Sequence, residues 1–169
     1  MIDSDKLVID FFCGISQDSA GRTIEQILRF DENNIENHHD FIQWIFPTMK
    51  RSDYNPNAPL ISSNFKHLLS TNTVAKCNFC KTCKLFLNFI GLECDGKLIV
   101  IIEKATMFYD RPRHNLLRIT RMLDSLNQIG KTSCSNNIFL LLKNIYETHN
   151  KNLKESFEYW EKTQLNEEH

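Results

Sequence analysis

From Leu116 onward the apolar residues return every three or four positions, as Leu116, Ile119, Leu123 and Leu126, and Gly130 follows them. That spacing lines one face of an α-helix; a strand, whose side chains alternate, would scatter it over both faces. The same period runs through Phe41, Ile42, Ile45 and Phe46 until Pro47 stops it. Proline offers no N–H and pushes the residue before it out of the right-handed helical region. Ala75, Phe79, Cys83, Phe86 and Ile90 repeat the pattern, as do Leu153, Phe157 and Trp160. A chain so patterned folds as an all-α protein, here a single compact bundle of about seven helices.

Only 5 Gly and 4 Pro stand among 169 residues, too few for the closely spaced turns of an all-β sandwich. The length suits one domain, residues 1–165, with a polar tail at 166–169 that frays. The expected helices include Lys6–Cys13 closed by Gly14, one capped by Thr23, and a central one from Ile35 to Phe46. Asp31 to Asn34 is a turn between the last two. Ser62 or Ser63 opens a short helix through Leu69, and Thr71 or Thr73 a longer one to Ile90. Arg113 to Ile129 is the next, with Pro112 in its approach. Ser135 begins another, where Ile138 to Leu142 is apolar nearly all round and so buried mid-bundle. Asn150 or Asn152 opens the last. Asp95-Gly96 and the β-branched run after it leave room for one short extended segment near residues 97–102. Thr48 to Ser63 is a long loop stiffened by Pro56 and Pro59, a candidate wall for a site.

A formal charge of −1 and a pI near 6.6 give no basic field, which ranks nucleic acid last among partners. The longest apolar run, Leu98 to Ile102, falls far short of the ~20 residues of a membrane span. The N-terminus is acidic and lacks a signal pattern, so the six cysteines read as reduced thiols. A cytoplasmic setting follows, with a nuclear one or export by a non-Sec route as alternatives. Cys77-x-x-Cys80-x-x-Cys83 turns through ~600° of helix, which spreads its thiols too widely for one metal. No second ligand pair follows at zinc spacing, so no metal and no cofactor is expected. Cys83 reads as a small core residue.

Two stretches carry the candidate chemistry. In the first, His39 pairs with Gln43 and Asp40 with Trp44 at i,i+4, flanking the apolar stripe. In the second, His114, Arg118 and Arg121 share a helical face, with Asn115 beside them and Arg111 and Arg113 just before. Guanidinium groups near helix N–H groups suit a carboxylate or phosphate. The competing reading is scaffold, with Arg118 and Arg121 paired to Asp40, Glu36 or helix-end carbonyls inside the bundle. His39, Gln43, Trp44, His114, Asn115, Arg118 and Arg121 are the predicted ligand-binding cluster. No nucleophile elbow, P-loop or HExxH occurs, so catalytic residues are not assigned.

With these residues in view, the chain resembles the opioid growth factor receptor conserved domain. The resemblance is carried by Phe11-Phe12-x-Gly14, Asp18-x-x-Gly21-Arg22-Thr23, and Ile35-Glu36-x-x-His39-Asp40-Phe41-Ile42-Gln43-Trp44-Ile45-Phe46-Pro47. It continues through Asn55-Pro56-x-Ala58-Pro59, Leu87-x-Phe89-x-Gly91-Leu92, His114-Asn115-Leu116-Leu117-Arg118-Ile119-Thr120-Arg121, Ser125-Leu126-x-x-x-Gly130 and Ser156-x-x-Tyr159-Trp160. It implies a helical domain and, for the vertebrate receptor, an enkephalin peptide ligand and a perinuclear or nuclear setting. With no repeat-bearing extension after the domain and no nuclear-localisation run in this sequence, the expectation is a short, free-standing form that looks more like a microbial relative. The function expected is a module that binds a small anion, a peptide carboxylate or a protein partner. The alternative is an enzyme using the His/Arg cluster as acid/base and anion stabiliser. The sequence sets neither oligomeric state nor ligand.

Overall fold

Asp3 opens the first helix, α1 (Ser4–Phe12), by accepting hydrogen bonds from the backbone N–H groups of Asp5 and Lys6. The computed structural model describes residues 3–94, 99–102, 106–149 and 153–165. The chain divides into two units, Met1–Leu85 and Phe86–His169. The expected all-α character holds: nine α-helices and one two-stranded sheet make up the regular structure among the described residues. None of the described helices is long and apolar enough to cross a membrane.

In the first unit α1 buries Val8, Ile9, Phe11 and Phe12. Its Asp5, also buried, accepts hydrogen bonds from the Ser62 N–H at 2.7 Å and from the Ser62 hydroxyl. That carboxylate ties α1 to the approach of α5 (Phe65–Thr71), 57 residues away. Thr23 and Gln26 form a capping box on the short α2 (Ile24–Ile27). Asp31 caps α3 (Glu32–Asn37), so Asp31 to Asn34, expected as a turn, begins a helix. Asn72 caps α6 (Thr73–Phe89), which passes from the first unit into the second. Asn78 of α6 donates to the Phe12 carbonyl at 2.8 Å, and the Phe12 and Phe79 rings meet edge to face.

The single central helix expected from Ile35 to Phe46 is two helices. After α3 the chain extends through His38 before α4 (Ile42–Ile45) begins. Local side-chain bonds account for the break. Asn37 donates to the Asn33 carbonyl, and His38 Nδ1 lies 2.9 Å from the Asn34 carbonyl with its ring stacked on Phe30. Asparagine and histidine here bond the backbone at the helix end and stop it. The loop after Pro47 is pinched by a bridge between Thr48 and Leu60, where Ile61 donates to the Thr48 carbonyl.

The second unit begins with the end of α6. β1 (Leu92–Cys94) and β2 (Ile99–Ile101) pair antiparallel with Leu92 opposite Ile101, the extended segment the β-branched run predicts. Its Asp95-Gly96 turn, the caps Asn150 and Asn152, and the tail 166–169 lie outside the described residues. Gly91 holds φ +88°, a left-handed conformation that favours glycine, and a Cβ there would also make the Met107 side chain move aside. A 3₁₀ turn (Phe108–Asp110) leads to α7 (His114–Gln128), then α8 (Thr132–His149) and α9 (Lys154–Leu165). Phe108, Ile119, Met122, Leu123, Ile138, Leu142 and Trp160 fill its core. α8 is not buried all round as expected, since Leu140 is exposed. Its inner face is Ile138, Leu142 and Ile145, an ordinary one-sided stripe.

Candidate functional site

The predicted cluster divides three residues to the first unit and four to the second. In the first, the chain between α3 and α4 carries His39, which is exposed and lies outside any helix, so its i,i+4 partnership with Gln43 does not arise. Trp44 is buried; its ring packs on Phe11 and its Nε1 donates to the Ser19 hydroxyl at 3.1 Å. Gln43 is buried too, and its Oε1 meets no hydrogen-bond donor among the described residues. Asp40 is held by Arg22, whose guanidinium reaches it at 2.8 Å and Asp18 at 2.6 Å. The spacing Asp18-x-x-Gly21-Arg22 thus has a physical reason. Asp18 accepts from the N–H groups of Ala20 and Arg22, Gly21 turns the chain at φ +80°, and the arginine folds back onto the carboxylate.

Burial alone would raise the Asp40 pKa, but the hydrogen bond and charge of Arg22, with smaller help from its own backbone and His38, hold it below the ordinary carboxylate value. A depressed folded pKa contributes stability above the unfolded value, near 4, that is lost as pH falls through the folded one. The melting temperature of Asp40→Asn should therefore trail the parent by a constant gap above about pH 5 and converge with it below roughly pH 4. A gap that persists in acid would show that Asp40 acts through something other than its charge.

In the second unit α7 presents its side chains differently from a simple amphipathic wheel. Leu117 is 46% exposed, whereas Arg118 is 5% exposed and donates to the Oδ1 of fully buried Asn115 at 3.0 Å. Arg121 and His114 are half-buried. Burial pushes the Arg121 guanidinium down to about 10, against the opposing charge of Asp124, so it stays cationic at neutral pH.

The open surface at the start of α7 is built by α9. Arg113 pairs with Glu155 at 3.0 Å, Trp160 donates to the Leu116 carbonyl at 3.3 Å, and Asn127 donates to the Thr163 carbonyl at 2.7 Å. Rising residue numbers meet rising numbers, so the helices run the same way and their first turns lie together. Between them and the 3₁₀ turn is an open groove of about 700 Å³, lined by Tyr109, Arg111, Arg113, Leu116, Leu153, Lys154, Glu155 and Glu158. Its apolar base is Leu116 and Leu153, both buried. Arg111 is braced, its guanidinium 4.0 Å from the centroid of the Phe89 ring. Arg111 and Arg113 stand out in the sequence as a basic helix approach. Lys154, Glu155 and Glu158 do not, because only the docking of α9 brings them there.

The opioid growth factor receptor (OGFr) conserved-region model matches residues 2–169. The chain belongs to that family. Among curated members it is similar to opioid growth factor receptor-like protein 1 of Xenopus tropicalis, with 30% identity over 118 residues, 65% of this chain and 23% of that protein. The protein of the same name in Rattus norvegicus is 27% identical over 146 residues, 80% of this chain and 31% of its own length. Opioid growth factor receptor of Mus musculus is 31% identical over 120 residues, 65% of this chain and 19% of its own length. The chain thus spans less than a third of each of these relatives. No solved structure matches it. The family regions that carry the early resemblance now have structural roles: the Asp18–Arg22 turn, the α4 anchor at Trp44, and the Asn115–Arg118 pair inside α7.

Proposed function

We propose that this OGFr conserved-region domain is a binding module that takes the carboxylate of a peptide, or a small anion, in the groove at the start of α7. The observation that carries this reading is the gathering of Arg111, Arg113 and Lys154 over the apolar base of Leu116 and Leu153. Three cations against the two carboxylates of Glu155 and Glu158 leave the groove positive beside an apolar surface, which suits a carboxylate attached to a hydrophobic residue. The Arg113–Glu155 pair is exposed on both sides and therefore weak, so an incoming carboxylate can replace Glu155 at small cost. The names of the vertebrate relatives, receptors of a growth factor, agree with a domain that recognises rather than transforms.

The predicted cluster then divides by burial. Trp44, Asn115 and Arg118 hold the scaffold from inside, while His39, His114 and Arg121 keep surface for a ligand. Hydrophobic tetrapeptides with free or amidated C-termini, titrated by calorimetry, test the groove. The free acid should bind roughly tenfold to a hundredfold tighter, the worth of a charge-assisted hydrogen bond, and Arg113→Glu should abolish that preference. Equal binding of acid and amide, or binding untouched by Arg113→Glu, sinks the proposal. The enzymatic alternative predicts turnover of a bound ligand that falls ~10²–10⁴-fold in His114→Ala, whereas a binding module shows none.

A further inference from the structure

The first-unit part of α6 shows solvent two thiols framed by lysines. Cys77 and Cys80 are exposed, while Cys83 on the same helix is buried and Cys13, Cys94 and Cys134 are partly covered. Lys76 and Lys84 stand four residues either side of Cys80, and Lys81 stands four after Cys77, so each lysine shares a helical face with a thiol. All three lysines are exposed, and α6 contains no acidic residue. None of the three makes an ion pair among the described residues; Lys81 donates only to the Asn78 side chain, at 3.3 Å. We propose that Cys77 and Cys80 are a site of S-thiolation, selective for small anionic disulfides of the glutathione class.

Two features of the helix decide the chemistry. Residues at i,i+3 hold their Cβ atoms about 5–6 Å apart, beyond the ~3.5–4.5 Å of a disulfide. The two thiols therefore cannot close on each other while α6 is intact, and oxidation ends at a mixed disulfide. The step itself is thiol–disulfide exchange. A Cys80 or Cys77 thiol gives its proton to solvent, and the thiolate attacks one sulfur of RSSR. A protein–SR bond forms as the RS–SR bond breaks, and RS⁻ leaves to take up a proton as RSH. The cysteine sulfur is oxidised and the departing half is reduced, so the disulfide is the only oxidant needed. Exposed lysines that make no ion pair among the described residues raise the local concentration of an anionic disulfide and repel a cationic one.

The full chain, reduced and then freed of reductant, is incubated at low salt with glutathione disulfide or with cystamine, each rate normalised to that of free cysteine. Adducts are followed by intact mass and located by peptide mapping. The first adducts should fall on Cys77 and Cys80, with the anionic reagent favoured roughly tenfold. That preference should shrink as salt is added to the unaltered chain, and disappear in Lys76→Gln/Lys81→Gln/Lys84→Gln. First adducts on another cysteine, a preference indifferent to salt, or loss of two hydrogens from an internal disulfide would each overturn the proposal.

Discussion

Trp160→Ala lowers the unfolding free energy by about 3–5 kcal/mol, the range for removing a large buried aromatic. Trp160 has no exposed surface, meets Phe108 edge to face at 6.0 Å, and spends its one polar atom on the Leu116 carbonyl. The substitution removes packing and leaves a cavity that helices pinned elsewhere cannot fully close. Trp160→Phe keeps most of the apolar contact and loses the indole N–H. The Leu116 carbonyl still accepts from the Thr120 hydroxyl, so that variant should lose only about 1–2 kcal/mol. Urea unfolding reads both: the midpoint should fall in the order parent, Phe, Ala, with an unchanged slope. The same variants connect stability to the groove. Trp160 fixes where the first turn of α9 stands against α7, so Trp160→Ala should also lose preference for a free peptide carboxylate. A loss of less than about 1 kcal/mol in Trp160→Ala would mean that another contact sets the register of the two helices.

Where a helix is decided by its own residues, the sequence was readable. The stripe Leu116, Ile119, Leu123, Leu126 is the buried face of α7, and Gly130, at φ +76°, ends it as expected. Cys83, read as a small core residue on the stripe with Phe79 and Phe86, is buried, and Cys77 and Cys80 of the same motif are exposed. Reading failed where a polar side chain competes with the helix. Asn37 and His38 bond the carbonyls behind them, and no apolar period announces that choice. It was incomplete again at Arg118, because an arginine goes inside only when partners such as Asn115 are waiting there. The groove was half visible, as Arg111 and Arg113. Its other wall depends on Trp160 finding Leu116, a tertiary contact 44 residues apart that no local pattern encodes.

Asp18→Ala carries the second large effect, a loss of about 3–5 kcal/mol, because it breaks a buried charged pair from one side only. The Asp18 side chain is fully enclosed and accepts three hydrogen bonds, from the Ala20 and Arg22 N–H groups and from Arg22 Nε. Alanine leaves those donors facing protein, and it leaves a guanidinium that is 15% exposed with the half-exposed Asp40 as its remaining carboxylate among the described residues. The turn also presents Ser19 to the Trp44 indole, so the loss should reach α4 and appear as a change in tryptophan fluorescence before global unfolding. Asp18→Asn separates geometry from charge: it keeps an acceptor for the turn and drops the ion pair, and should lie between parent and Ala. Removing the charge from both partners, as Asp18→Asn with Arg22→Met, should cost less than the two single losses added together, since no orphaned cation remains. If instead the two losses simply add, Asp18 and Arg22 act independently. The Asp18-x-x-Gly21-Arg22 spacing would then reflect the turn alone, with nothing contributed by the pair.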